Sequence, residues 1–475
     1  GPLTVVQAWS LTANPELPPE TLKAIRSKWK LVNERPFTRD AWSSEKTDSL
    51  ARLRSLGYPA ARWDSTQAIV DTQTNTVNID AQLLSGPRFY FGELKIEGLQ
   101  VQSDVAVRNL ADFSPGQPYT EKALLDFQER LQKANLYDGV TVELNPDPAQ
   151  AQAATVWVRL RESKLNHAVV GVGFSGNTGA RVTFEHSHKR AFGLEASSRV
   201  KFELGRDLRS LDLELNSHAL KDMWRNLSSM HVQRLESAGE VVRSATARLG
   251  RSQETEFIDR FYYLEGTYSG VENDAGLTKA VAASLNWQWI WRHVDSVILP
   301  TNGWATSMLL TGGGARSRSG DNGPFGRAQG RLSVFKPLGA SWLLSGRMEA
   351  GEVFARNSVE IPDTLLFRAG GEDSVRGYAY RSLGPTVDGV LVSGRVLWVG
   401  SLEVARPIKA SMPSLLGAVF VDYGQAALRW GDLKPVAGYG VGVRWRSPVG
   451  SLRLDVAYGH DIQKFRMHLS AGVTY

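Results

Sequence analysis

Hydrophobic and polar positions change their period once along this chain. From about Asn166 onward the period is two. Val200, Phe202 and Leu204 alternate with Lys201 and Glu203, and Leu211, Leu213 and Leu215 alternate with Asp212, Glu214 and Asn216. Trp287, Trp289 and Trp291 share a face opposite Gln288 and Arg292. Leu452, Leu454, Val456 and Tyr458 alternate with Arg453 and Asp455. Successive side chains of a strand point to opposite faces, so the pattern predicts strands with one apolar and one polar face, uninterrupted by helix. A soluble sandwich would alternate in the same way, with its polar face in water and its apolar face in a closed core. Two features favour a membrane-crossing wall. Trp and Tyr recur near strand ends, as interface belts require. The chain also finishes Phe465, Met467, Leu469, Ala471, Val473, Tyr475, a last strand with a terminal aromatic. At ~10 residues per strand plus turns, residues 166–475 predict an all-β transmembrane barrel of about sixteen antiparallel strands.

Before the barrel the chain repeats itself. Pro36-Phe37-Thr38 recurs as Pro118-Tyr119-Thr120, each followed by a helical stretch and then by Gly57-Tyr58 or Leu136-Tyr137. Val77 and Ile79 recur as Val156 and Val158 at nearly the same spacing. In the second copy Phe91, Leu94 and Ile96 form a short strand ending at Gly98. Ser103 caps a brief helix through Leu110, and Phe113-Ser114-Pro115-Gly116 turns. Thr120 caps a longer helix whose Leu124, Phe127, Leu131 and Ala134 share one face. Val140, Val142 and Leu144 then alternate as a strand, as do Val156, Val158 and Leu160. The order is β-α-α-β-β, which implies a three-stranded sheet covered by two helices. The expected boundaries are 4–88 and 89–163 for the two α+β modules and 166–475 for the barrel.

Composition removes several function classes. A spanning helix needs ~18 unbroken apolar residues. The most apolar stretches here are cut by charge, as Arg395 cuts Val390 to Val399, so a helical membrane protein is excluded. With no cysteine there is no zinc ribbon, thiol nucleophile or disulfide scaffold, which suits a chain that crosses an oxidising compartment unfolded. The net charge of +6 could indicate nucleic acid, but the basic residues are spread along the chain rather than striped with aromatics, so no nucleic-acid partner is expected. Gly171-Val172-Gly173-Phe174-Ser175-Gly176 fits the dinucleotide pattern, yet no helix follows, and the glycines belong to the first barrel strand. His186-Ser187-His188 lacks a third metal ligand and reads as a solvated turn, while His460-Asp461 and His468 belong to the closing hairpin and last strand. Neither a nucleophile motif, a carboxylate pair nor a Walker loop survives inspection, so no enzyme, cofactor or metal is expected. Gly1-Pro2 has the form of a scar left by tag removal, so the chain is expected to be a mature form without a signal peptide.

Three late motifs carry specific information. They are Gly370-Gly371-Glu372-Asp373-Ser374-Val375-Arg376-Gly377-Tyr378, Phe420-Val421-Asp422-Tyr423-Gly424, and the strand pair Gly438-Tyr439-Gly440-Val441-Gly442-Val443-Arg444-Trp445 with Ser447-Pro448-Val449-Gly450. In these the chain resembles the BamA/TamA superfamily of outer-membrane assembly factors, and most of all its TamA (translocation and assembly module) group. The two repeats resemble POTRA modules, β-α-α-β-β units of the periplasm. The likeness covers the whole chain and is most specific between Phe367 and Asp455.

The resemblance implies a sixteen-stranded barrel with the arginine loop folded into its lumen. Glycines 370, 371 and 377 let such a loop turn sharply. An arginine inside a barrel needs an anion, and its planar fork suits a carboxylate. Asp422 is the first partner expected and Glu403 the second, with Phe420 and Gly424 flanking; Val375 and Tyr378 complete the loop motif. Arg381 is taken as an outer comparison site. At the seam, Gly171 and Gly173 in the first strand and Gly472 and Tyr475 in the last are expected to make the weakest pairing in the barrel, because glycine weakens strands.

The resemblance further implies an outer membrane of a Gram-negative cell, modules in the periplasm, and a role in inserting or secreting clients such as autotransporters without nucleotide. Its implied partners are a TamB-like envelope-spanning protein, outer-membrane clients and the lipid bilayer. The alternatives are a BamA-like general insertase, a two-partner secretion pore, or a passive channel. Two departures stand out: TamA-type proteins carry three POTRA modules where two are found, the Gly-Pro start suggesting that a first one was removed, and the last residue is tyrosine rather than the commoner phenylalanine.

Overall fold

The computed structural model describes residues 3–339, 341–447 and 450–471, and the chain falls into two compact units, one mainly of residues before Leu165 and one mainly of those from Leu165 onward. The first unit holds two successive β-α-α-β-β arrangements. In chain order these are β1 (Val5–Asn14), α1 (Pro19–Arg26), α2 (Arg39–Ser55), β2 (Arg62–Asp71) and β3 (Thr76–Leu84), then β4 (Phe91–Glu97), α3 (Asp104–Asn109), α4 (Glu121–Lys133), β5 (Tyr137–Leu144) and β6 (Ala154–Glu162). Each set makes a mixed three-stranded sheet, ordered β1-β3-β2 and β4-β6-β5. The last strand of each lies in the middle, parallel to the first and antiparallel to the second.

Local chemistry sets the helix starts. The Thr38, Ser103 and Thr120 hydroxyls accept from Ala41 N, Val105 N and Ala123 N at 3.1, 3.1 and 3.3 Å, satisfying amides that have no partner within the first turn. The apolar faces then meet: Leu11, Ile25, Leu53, Val77, Ile79 and Leu83 are buried in the first set, and Phe91, Phe127, Leu131, Val156 and Val158 in the second. Phe91 stacks on Phe113 at 4.0 Å between ring centres, and Phe113 meets Phe127 edge-on at 5.5 Å.

The second unit is a sixteen-stranded antiparallel sheet that curls into a nearly closed barrel. Its strands begin β7 (Asn166–Ser175), β8 (Gly179–His188), β9 (Ala196–Gly205), β10 (Leu208–Ser217), β11 (Trp224–Ser237) and β12 (Glu240–Glu254). They continue β13 (Ile258–Asn273), β14 (Gly276–Val294), β15 (Gly303–Ser317), β16 (Gly323–Leu338) and β17 (Trp342–Ala355). A long connection carrying the two-residue strands β18 (Thr386–Val387) and β19 (Val390–Leu391) leads to β20 (Val396–Lys409), β21 (Met412–Ala427), β22 (Val436–Ser447), β23 (Gly450–Gly459) and β24 (Lys464–Ala471). Every strand pairs with its neighbour in sequence, β17 pairing with β20 across the long connection.

The period-two pattern becomes inside and outside. Val170, Val172, Phe174, Val419, Val421, Leu454 and Met467 are exposed along the outer surface, while Glu203, Glu265, Asn286, Glu349, Asp422 and Asp455 are buried within. Aromatic residues gather at both ends of the strands. Trp224, Tyr262, Trp289 and Trp291 form a chain of ring contacts at one end, with Trp289 Nε1 donating to Tyr262 Oη at 3.2 Å, and Trp398–Tyr423 and Tyr439–Tyr458–Phe465 cluster toward the other. The expected solvated turn at His186-Ser187-His188 is instead the end of β8, because these residues pair with Asn166–Ala168 of β7 and with β9.

Phe127 is fully buried at the centre of the second module, so Phe127→Ala is expected to destabilise a fragment spanning 4–163 by about 3–5 kcal/mol. Urea unfolding followed by circular dichroism checks this; an unchanged midpoint would show that the module core does not depend on this ring.

Candidate functional site

The connection between β17 and β20 is tied back on itself before it reaches the wall. Phe367 and Gly394 exchange backbone hydrogen bonds at 2.9 and 2.8 Å, and Ala369 and Leu383 do so at 2.8 and 2.9 Å. The tip beyond them is a tight bend: Gly370 N donates to Ser374 Oγ at 2.7 Å and Gly371 N to Val375 O at 3.2 Å. Val375 and Tyr378 are buried on either side of Arg376.

Arg376 meets the inner wall with its whole guanidinium. Nε and Nη2 donate to Asp422 Oδ2 and Oδ1 at 2.7 and 2.8 Å, a two-pronged contact, while the backbone N of Arg376 also donates to Asp422 Oδ2 at 3.0 Å. Nη1 donates to Glu403 Oε2 and to Asp455 Oδ2, both at 3.1 Å, and Nη2 reaches Ser401 Oγ at 3.3 Å. The ring of Phe420 lies against the guanidinium, 3.4 Å from its Cζ to the ring centre. A second guanidinium completes the group. Arg444 donates to Glu403 at 2.6 and 2.8 Å and to Asp455 Oδ1 at 2.6 Å, so Glu403 and Asp455 are each shared between the two arginines. Asp422 has no solvent exposure at all, which leaves the ion pair undiluted by water.

The close approach is possible because the wall is bare where the loop lies. Gly377 has a φ of +93°, and a Cβ on it would come within 2.7 Å of Gly459 N. A Cβ on Gly438 of β22 would sit 1.9 Å from Arg376 O. Tyr378 Oη donates to Asp461 Oδ2 at 2.7 Å and lies 3.1 Å from Ala437 O, extending the contact to the end of the wall.

Of the residues read from sequence, Arg376, Asp422, Glu403 and Phe420 are in direct contact. Gly424 serves a different neighbour: the atoms nearest a Cβ there belong to Trp398 and Val399 of β20. Gly171 and Gly173 lie in β7, whereas Gly472 and Tyr475 fall outside the described residues. Asp455, Arg444 and Ser401 escaped the sequence reading. Their signal was charge or hydroxyl at an inward position of the alternation, opposite outward Leu454, Val443 and Leu402.

Arg381 is not an outer site. Its Nη2 donates to Asp363 Oδ2 at 2.6 Å and to Glu240 Oε1 at 3.4 Å, beside Arg368, which donates to Glu240 Oε2 at 2.8 Å and to Ser393 Oγ at 2.9 Å. The loop doubles back after Tyr378, carrying Arg381 inward to Glu240, the carboxylate that Arg368 also bonds. The loop is thus anchored twice, at its tip by Arg376 and at its root by Arg368 and Arg381. Among the described residues no group of three or more His, Asp or Glu is placed to hold a metal. What this arrangement does chemically is hold: it fixes a loop to a wall through shared charge.

Arg376→Ala leaves the fully buried Asp422 without its guanidinium, at a cost of about 3–5 kcal/mol, and should lower the temperature at which the barrel loses its compact form on a gel. Arg381→Ala should lower it as well, because its partners are buried, whereas Arg206→Ala, at a side chain 88% exposed, should leave it unchanged. Equal behaviour of the Arg376 and Arg206 variants would remove the pin from the account.

Residues 150–475 match the Omp85 superfamily domain. The chain is 22% identical to the outer membrane protein assembly factor BamA of Neisseria meningitidis serogroup B over 89% of its length and 61% of that protein's. It is 37% identical to the chloroplastic outer envelope protein 80 of Arabidopsis thaliana over 22% of its length and 14% of that protein's. It therefore spans less than two thirds of either relative. Its fold is similar to that of BamA from Haemophilus ducreyi lacking POTRA domains 1–3, with a TM-score of 0.76 over 99% of this chain and 100% of that one at 16% identity. A CdiB from Acinetobacter baumannii is similar at a TM-score of 0.54, with 16% identity, over 100% of this chain and 90% of that one. A sixteen-stranded antiparallel barrel with an arginine loop pinned to its inner wall, matched from residue 150 to the last, belongs to the Omp85 superfamily.

Proposed function

We propose that this chain is a TamA-type assembly factor of a Gram-negative outer membrane, helping β-barrel clients such as autotransporters to insert or be secreted without nucleotide. The two β-α-α-β-β units are its POTRA modules in the periplasm, where they contact a TamB-like envelope-spanning partner. The observation that supports the reading is how little of the described chain joins the first strand to the last. In hydrocarbon every backbone amide and carbonyl needs a partner, and a barrel ordinarily meets that need by pairing its first strand with its last. Here β7 and β24 are the two ends of the sheet order, with no ladder between them among the described residues. Among the described residues a backbone hydrogen bond joins the end of β7 to β24, from Gly176 N to Leu469 O at 3.4 Å. A strand edge left this way is a template for another strand. A client strand pairing with β7 meets that need while it enters the membrane.

The absence of cysteine makes the test direct. A Cβ at Gly176 would lie 3.2 Å from His468 Cα and from Leu469 N, so a Gly176→Cys, Leu469→Cys variant places two thiols across the seam. Oxidation is expected to abolish assembly of a barrel client in reconstituted vesicles, and reductant to restore it. A disulfide-closed protein that assembles the client at the full rate would overturn the seam as the working site.

A further inference from the structure

The luminal loop reaches both edges of that seam. Toward the first strand, Ser175 Oγ donates to Glu372 Oε1 at 3.2 Å, and Glu372 N donates to Asn177 Oδ1 at 3.2 Å. Toward the last, Gly377 N donates to His468 Nε2 of β24 at 3.0 Å, and Tyr378 holds Asp461 in the β23–β24 turn. At Gly176 the three parts converge, since a Cβ there would lie within 3.2 Å of His468 and 3.4 Å of Glu372 Oε2.

The root of the loop is tied separately, by Arg368 and Arg381 to Glu240 of β12, and the two attachments of its tip are unequal. On the side of the last strands the loop is held by Arg376, whose buried guanidinium bonds Glu403, Asp422 and Asp455 on β20, β21 and β23. Separating those charges would leave Asp422 buried without its guanidinium, while Glu403 and Asp455 keep Arg444. On the side of β7 the loop is held by one hydroxyl and one side-chain amide oxygen, both bonded to Glu372. Bonds of this kind cost far less to release than a desolvated ion pair.

We infer that the loop is a strap, tied at its root to Glu240 of β12, fixed at its tip to the last strands and caught on the first. When the seam opens, the tip of the strap stays with β20–β24 and lets go of β7, with Glu372 and Asn177 as the catch. This rests on the reading of the seam given above and adds a direction to it: β7 is the edge released, and β24 stays tied through Gly377 and Tyr378.

Hydrogen exchange measured by mass spectrometry on the full chain in lipid nanodiscs reads the two edges separately. Asn177→Ala and Glu372→Ala are each expected to raise exchange in β7 by about tenfold and to leave β24 unchanged. Tyr378→Phe is expected to do the reverse, raising exchange in the β23–β24 hairpin and sparing β7. Gel mobility of the folded barrel confirms that each variant is intact, and Asn177, in a turn, gives a variant whose fold does not depend on the substituted side chain's burial. Equal rises in both strands, or none in β7, would overturn the strap. The oxidised seam variant judges the other reading independently. If it assembles clients while the exchange pattern holds, the strap stands and the seam loses its role in assembly. If exchange is flat while oxidation blocks assembly, the strap alone falls.

Discussion

A strand in hydrocarbon must satisfy its backbone on both sides, and every other feature of this barrel is arranged around that requirement. No water is present to take up a stray amide or carbonyl. Fourteen of the sixteen strands meet the requirement with a full antiparallel neighbour on each side, while β7 and β24 do not among the described residues. Among the described residues, side chains and backbone of the luminal loop bond to both edges at that point. The luminal loop is therefore part of the wall's economy of hydrogen bonds, and the buried arginine that holds it matters to strands it never touches.

That arginine is stabilised by division of labour. One guanidinium facing one carboxylate would satisfy its charge but leave donors unused. Here Asp422 takes the fork and the backbone amide, Glu403 and Asp455 take the remaining edge, and Arg444 balances both of them from behind. Three carboxylates and two guanidiniums from the loop and four neighbouring strands make a network in which each charge has more than one counter-charge or hydrogen bond. A buried network is stable only when complete, so its members act as a unit.

The architecture was legible wherever it depends on period. Alternation over Val200–Leu204, Leu211–Leu215 and Trp287–Trp291 places strands and their apolar face directly, because a strand writes its two faces into successive residues. The caps at Thr38, Ser103 and Thr120 are equally local. The site was legible only where a motif already gathers its residues. Arg376 with Asp422 and Glu403 follows from spacing and resemblance, but Asp455 and Arg444 are brought together by the curvature of the sheet, which no local pattern records. Arg381 was misplaced for the same reason: within one loop, sequence does not say which arginine faces water. His186 and His188 were read as a turn because their polarity outweighed a pairing that depends on β7 and β9.

The bonds of Arg376 also say something about how this protein comes to exist. Its side-chain partners lie 25 to 79 residues further along the chain, on β20, β21 and β23, whereas the Ser175–Glu372 contact spans 197. Contacts close in sequence lose less entropy on forming and so tend to form early. The loop and the last hairpins can thus assemble as one cooperative piece before the first strands arrive, with the bare groove at Gly438 already filled by the backbone it was shaped to receive. On this view the last third of the chain is a finished edge awaiting its counterpart, and the barrel's own closing is its final docking event.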